Sequence, residues 1–368
     1  MSKKSSPDTV TRTLRLRVKD KHVPLLQSLA REVNLVWNYC NELSFKVWQR
    51  EHRFLSAYDF SPYTAGAAKA GLGINAQTVQ AISETYAKSR KQAKKVKLAW
   101  RVSGGARRSL GWIPFKGQSV RYKGGQAWLF GVPFSLWDSY GLAGYTLGTG
   151  SFSEDARGRW YLNVTVEVKR PVKPAAADIE QTVGIDLNLK EAYATSDGVV
   201  KEAQHCYRDL EEALATAQRA GKKDRVRAIH AKIANRRKDD LHKDSSAFVK
   251  GYGAIFVGNV SASALARTRM AKSVLDAGWA TFRTMLQYKC DSAGVWFEEV
   301  NEAFSTQTCS ACGARSGPRG LQGLGIREWS CTECGAQHHR DVNAARNILA
   351  AGHRRLAEGI PHYSAAGV

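Results

Sequence analysis

"VGIDLNLKEAYATSDG", Val183 to Gly198, is two short apolar runs broken by polar turns. Val183, Ile185 and Leu187 alternate as a strand does. Asn188 marks a turn, a second short strand follows, and Asp197–Gly198 marks another turn. One acid, Asp186, sits inside the first strand among apolar neighbours. Alone it is a weak signal, because a strand-end Asp often caps a turn. A domain starts here, since "KRPVKPAAADIEQ" (169–181) before it has two prolines, an alanine run and polar ends, and reads as a linker.

Upstream of the linker, "VTRTLRLRV" (10–18) alternates, with Leu14, Leu16 and Val18 on one face and Arg15 and Arg17 on the other. Pro24 opens a helix with Leu25, Leu29, Val33 and Val36 at helical spacing and Trp37 beside them. A second helical stretch covers about 76–98. From Lys88 to Lys123 there are 12 Lys and Arg and no Asp or Glu, with Trp100, Trp112, Phe115 and Tyr122 among them. Basic residues hold phosphates, and the aromatics suit either base stacking or a core. Residues 127–168 read as strands, most clearly "WYLNVTVEV", with Trp160, Leu162, Val164, Val166 and Val168 on one face. The first half is thus a β-rich unit interrupted by a helical insert.

Downstream, 207–243 is a basic helical segment broken near Gly221, with Val226, Ile229 and Ile233 at helical spacing. It suits a solvated hairpin or a nucleic-acid contact. "AIFVGNVSAS" (254–263) reads as a buried strand ending in a polar turn, and "GVWFEEVNEAF" (294–304) as the next strand.

The 368 residues allow two or three domains, and a net charge of +22 favours a polyanion as partner. No run of eighteen or more apolar residues exists, so a spanning helix is not expected. The N-terminus lacks the apolar core of a signal peptide. The reading is a cytoplasmic chain with no membrane partner. Cys40, Cys206 and Cys290 are scattered. Cys309, Cys312, Cys331 and Cys334 form "CSACG" and "CTECG", two C-x-x-C knuckles at zinc-ribbon spacing. Four thiolates fill a tetrahedral Zn²⁺ shell and close it, so the site is structural; a glycine after each knuckle permits the tight turn. Asp341 opens a helical pattern in "HHRDVNAARNIL" (338–349), with Val342, Ala345, Ile348 and Leu349 toward a core. It could equally favour the helix N-terminus.

Together, "GIDLN", the basic hairpin, "STQTCSACG", "CTECG" and "HHRDVNAARNIL" resemble the TnpB family, RNA-guided nucleases of bacterial insertion sequences. Miniature type V CRISPR effectors are related to it. The motif match runs from about Val183 to Ala351; the first half matches in layout alone. The resemblance implies an α/β plus β chain: an RNase H-like (RuvC) nuclease domain with an inserted zinc ribbon, preceded by a β-barrel wedge domain carrying a helical recognition insert. The implied boundaries are wedge 1–22 and 99–170, insert 23–98, linker 171–181, RuvC 182–305 and 338–368 with the C-terminal tail, and ribbon 306–337. A guide RNA and target double-stranded DNA are the implied partners, with the chain at the nucleoid when bound and a monomer as the expectation. Asp186 matches the first RuvC aspartate and Asp341 the last, as ligands of two Mg²⁺ ions that cut phosphodiester bonds.

The resemblance also implies a glutamate at the end of the second-motif strand. Gly258 and Asn259 stand there, and neither can supply a carboxylate. Either the protein binds DNA under RNA guidance without cutting, or another acid compensates. Glu302, at the end of the next strand, would lie two strand spacings, roughly 10 Å, from the Asp186 strand. Glu298 lies four residues back, and Glu299 points the other way. Because Asp186, Asp341 and all four cysteines remain, compensation by Glu302 is the reading adopted. The alternatives are a nuclease-dead guided binder, a structure-selective nuclease without guide, and a guide-independent zinc-ribbon DNA-binding protein.

Overall fold

A computed structural model describes residues 9–67, 71–260, 271–320 and 322–358. The chain divides into two units, one ending at Lys169 and one beginning at Arg170. The break falls at the start of the proline-bearing segment expected to be a linker.

The first unit is built on β1 (Thr9–Val18), whose buried Leu14, Leu16 and Val18 confirm the alternation. The chain then leaves the sheet as α1 (Val23–Glu51), α2 (Ser61–Thr64) and α3 (Ala76–Ala93). It returns as β2 (Trp112–Phe115), β3 (Val120–Lys123), β4 (Gln126–Leu129), β5 (Val132–Trp137), β6 (Leu147–Glu154) and β7 (Trp160–Lys169). The seven strands run in the order β2-β6-β7-β1-β5-β4-β3. Trp160, Leu162, Val164 and Val166 share one core with α1 and α3. Two details of the helix reading change. Leu26 is buried and Leu25 is 38% exposed, so the apolar stripe is shifted by one residue at its start. The second helix stops at Ala93, because Lys94 adopts a left-handed cap at φ +51°.

The second unit opens with β8 (Thr182–Leu187), β9 (Glu191–Thr195) and β10 (Val200–Glu202). The Asn188 turn between β8 and β9 is stabilised as expected, its Oδ1 accepting from the Lys190 and Glu191 amides. The basic segment becomes α4 (Glu211–Arg219) and α5 (Lys223–Gly251), split by Gly221 at φ +64° and running past the expected end at 243. Then come β11 (Ala254–Gly258), α6 (Ala271–Ala277), α7 (Trp279–Ala293), β12 (Trp296–Val300), the hairpin β13 (Glu328–Ser330) and β14 (Gln337–His339), and α8 (Arg340–Ala357). Residues 261–263, the expected polar turn after β11, lie outside the described residues.

The main sheet has the order β10-β9-β8-β11-β12, antiparallel on the β9 side and parallel across β8-β11-β12. Strand parity then divides the residues. Val183, Ile185, Leu187, Ile255 and Val257 pack with α5 and α7. Ala254, Phe256 and Val300 pack with Ile348 and Leu356 of α8 on the opposite face. Gly184 lets α8 approach closely: a Cβ there would lie 2.1 Å from the Ala345 carbonyl oxygen. Asp186, Gly258 and Glu302 have the parity of this α8 face.

Candidate metal centres

The four cysteine sulfurs come together. Among the described residues they are the group of three or more potential metal ligands whose atoms all lie within 4.8 Å of one another. Cys309 Sγ is 3.7 Å from Cys334 Sγ, and Cys312 Sγ is 3.6 Å from Cys331 Sγ. A tetrahedral zinc with Zn–S near 2.3 Å requires sulfur separations of about 3.8 Å, so the cluster could hold zinc. Gly313 and Gly335 follow the knuckles at φ +79° and +72°, which meets the expected need for glycine. The Ser316 hydroxyl donates to Cys331 Sγ over 3.1 Å and stabilises its thiolate. His338 Nε2, 3.0 Å from Cys309 Sγ, is a second polar neighbour that the spacing of the cysteines did not reveal.

The ribbon is tied to α8 by asparagines one helical turn apart. Asn343 and Asn347 each donate from Nδ2 to the Ser305 and Thr308 carbonyls, over 2.7–3.1 Å. Asn343 Oδ1 also accepts from the Ser310 amide. These bonds give the asparagines of "RDVNAARN" a physical role: they fix the approach to the first knuckle against the helix that carries Asp341.

Asp186, Glu302 and Asp341 share the α8 face. Asp186 and Asp341 are buried, at 7% and 3% exposure. Burial, then the nearby Asp341 and Glu302 carboxylates, raise the Asp186 carboxyl well above the usual range. Burial also raises Asp341, while Arg327 pulls it back. Burial raises Glu302, with Arg283 and the Val260 amide offsetting part of the shift. No described residue hydrogen-bonds to the Asp186 carboxylate, and Glu302 Oε2 is buried without a hydrogen-bond partner.

Gly258 lies beside Val300 in the parallel β11–β12 pair. A Cβ built on Gly258 would lie 2.1 Å from Glu302 Oε2 and 3.2 Å from Glu302 Cβ. The Glu302 carboxylate therefore fills the space that a side chain at 258 would need. Asn259 supports it: the Glu302 amide donates to Asn259 Oδ1 over 3.4 Å, and the Asn259 amide donates to the Val300 carbonyl over 3.0 Å. The other acids of the strand are engaged. Glu298 pairs with Arg355 at 2.5 Å, and Glu299 with Arg283 at 3.3 Å.

Buried, like-charged acids, one of them with an unpartnered oxygen, fit a hard divalent cation. The carboxylates form no group as tight as the thiolates; two ions about 3.5–4 Å apart need more widely spread ligands than one ion does. Two further residues join this face that the sequence reading did not single out. Arg327, just before β13, donates from Nη1 to Asp341 Oδ2 at 2.5 Å, and its Nη2 lies 3.4 Å from Glu191 Oε2.

Comparison with known proteins gives matches to one family model and to several relatives. The family model "Cas12f1-like, TNB domain" matches residues 279–348. A putative RNA-guided DNA endonuclease of Streptomyces pristinaespiralis is 34% identical over 218 residues, 55% of this chain and 52% of that one. The putative RNA-guided DNA endonuclease InsQ of Escherichia coli (strain K12) is 33% identical over 232 residues, 55% of this chain and 56% of that one. TnpB-like protein L79 of Acanthamoeba polyphaga mimivirus is 32% identical over 135 residues, 34% of this chain and 25% of that one. The chain thus spans about half the length of the first two relatives. In fold, it is similar to a Cas12f1 chain solved with sgRNA and target DNA, at TM-score 0.59 and 13% identity over 92% of this chain and 98% of that one. No described helix is long and apolar enough to cross a membrane. The TnpB resemblance read from the motifs is thereby borne out: residues 279–348 match the Cas12f1-like TNB model, and the chain is similar to TnpB-like proteins and RNA-guided DNA endonucleases.

Proposed function

We propose that the protein is an RNA-guided DNA endonuclease whose RuvC-type site is formed by Asp186, Glu302 and Asp341, with the second-motif glutamate moved from position 258 to 302. The observation that carries this reading is the overlap of Glu302 Oε2 with the side-chain space of Gly258, at 2.1 Å from an ideal Cβ. A site that had only lost its acid would leave that space empty or fill it with an apolar group. Here a buried, unpartnered carboxylate oxygen occupies it.

Bound Mg²⁺ would activate water and stabilise the leaving oxygen of a phosphodiester. The chain's own residues do the rest. Asp186 and Asp341 hold the cations from β8 and α8, and Glu302 completes the set from the end of β12. Arg327, now shared by Asp341 and Glu191, brings a cation to the same face and suits a phosphate oxygen. The four cysteines hold zinc and keep the ribbon folded against α8. The first unit, with the basic segment 88–123, binds the guide RNA scaffold and reads a short DNA motif beside the target. The guide itself reads sequence by base pairing.

The test is cleavage of a target plasmid with a randomised flank, using the protein with RNA from its own locus and Mg²⁺. Wild type is expected to cut at one flank motif, and Asp186→Ala to bind the target without cutting. A wild type that binds with RNA and never cuts would make the protein a guided binder. Binding independent of RNA would make it a zinc-ribbon DNA-binding protein.

A further inference from the structure

Phe304 is held in a backbone conformation that its side chain disfavours, two residues beyond Glu302. Its φ is +65°, a region where a bulky residue is an outlier. Among the described residues three other non-glycine positions share it, each with a local reason. His52 and Lys94 close α1 and α3, and Phe130 lies in the turn between β4 and β5. Phe304 ends no helix and joins no hairpin. Its turn is nevertheless firmly fixed. The Ser305 amide donates to the Glu302 carbonyl over 3.0 Å, and the Gln307 and Thr308 amides donate to the Phe304 carbonyl over 2.9 Å. Asn343 and Asn347 hold the Ser305 carbonyl from α8.

Burying the ring does not offset this strain, because Phe304 is 49% exposed. Its one ring partner among the described residues is a cation: the Arg315 guanidinium, from the ribbon, lies 4.1 Å from the ring centroid. Two residues span at most about 7 Å of backbone, so Phe304 is carried on the same short turn as Glu302. An exposed aromatic face with a planar guanidinium beside it stacks an unpaired base and pairs with the adjoining phosphate.

We propose that Phe304 and Arg315 form a stacking clamp for an unpaired base of the DNA strand at the acidic site, and so set which phosphodiester meets the carboxylates. This rests on the nuclease reading above and deepens it by naming a substrate contact. Strain at a site that positions substrate is expected, since function rather than stability selects the conformation.

The test places 2-aminopurine, whose fluorescence falls on stacking, at successive positions of the target strand, bound to RNA-loaded Asp186→Asn protein. Quenching is expected at one or two positions near the cut. Phe304→Leu should abolish it and Phe304→Trp keep it. In cutting-competent protein, Phe304→Leu should raise the target KM roughly tenfold and spread the cut over neighbouring phosphodiesters. Phe304→Gly, which relieves the backbone as it removes the ring, should raise the melting temperature while losing the quench. A ring that serves only packing would show the opposite, a lower melting temperature with quench and cut position intact, and would overturn the clamp. Wild type that neither binds nor cuts target would overturn the clamp together with the nuclease reading. Wild type that cuts, matched by Phe304→Leu in KM and cut position, would overturn the clamp alone.

Discussion

Glu154 in the first unit and Asp186 in the second are both buried acids, 6% and 7% exposed, yet the protein treats them in opposite ways. Glu154 receives both Arg108 terminal nitrogens at 2.6 Å and the Gly111 amide at 2.9 Å. Burial pushes its carboxyl up, but Arg108 and the amide overcome that and hold it below the usual value. Asp186 has no side-chain pairing of that kind among the described residues; burial, then Asp341 and Glu302, push it up, and Arg340 and Arg327 offset only part of that. A carboxylate that serves the fold is given a permanent cation and donors. A carboxylate with no direct ion pair, beside two more of its kind, is suited to a cation from solution.

Exchanging each acid for its amide separates the two roles. Asp186→Asn should reduce RNA-guided cleavage to background, the largest effect expected here. It should leave the metal-free protein as stable as wild type or more so, because it removes an unpartnered buried charge. An Asp186→Asn protein that unfolds more readily without metal would break the comparison. Zinc removal comes next. A strong chelator, or Cys331→Ser, should release about one zinc per chain and unfold the ribbon, since structural zinc binding is itself folding free energy. Because Asn343 and Asn347 join the ribbon to α8, cleavage should fall with the zinc content; zinc analysis beside a cleavage assay checks this. Glu154→Gln should cost about 2 kcal/mol in urea unfolding, from the loss of charge-assisted hydrogen bonds.

The smallest effect is in pH, and its sign differs between the two acids. In the metal-free chain Asp186 and Glu302 have carboxyl values above those of the unfolded chain, about 3.9 and 4.3. The folded state then binds more protons, so their contribution is complete below the unfolded values and is lost as pH rises through the folded ones. Glu154 is depressed, so its contribution is complete above about pH 4.3 and is lost as pH falls through its folded value. Metal-free stability should therefore decline as pH rises above the unfolded values of about 3.9 and 4.3, and Asp186→Asn should flatten that decline. Glu154→Gln should flatten only the acid limb below about pH 4. Urea unfolding across pH reads both slopes.

How far the sequence showed these features follows from how local each one is. The knuckles were legible because each pair of ligands is three residues apart and the turn needs its glycine. Asp186 and Asp341 were weak singly and became specific only as members of an ordered set of motifs. Glu302 could be placed near the site because parallel strands have a fixed spacing and a parity rule. That reasoning also put Glu299 on the other face, and the structure pairs it with Arg283. What the sequence did not show is the return of the ribbon. Arg327, just before β13, reaches Asp341 and Glu191 across long stretches of sequence, and no periodicity encodes that. The start of the α1 stripe was misread at Leu25 because two adjacent leucines satisfy helical spacing almost equally well.

The central claim is that the carboxylate has moved, and a swap tests it most directly. Cleavage and Mg²⁺-induced stabilisation would be measured for wild type, Glu302→Ala, and Gly258→Glu combined with Glu302→Ala. Saturating Mg²⁺ at about a hundred times its Kd should stabilise wild type by about 2.7 kcal/mol. Glu302→Ala should lose cleavage and most of that stabilisation, and the double variant should recover part of both. Glu302→Ala that cuts and responds to Mg²⁺ as wild type does would contradict the account.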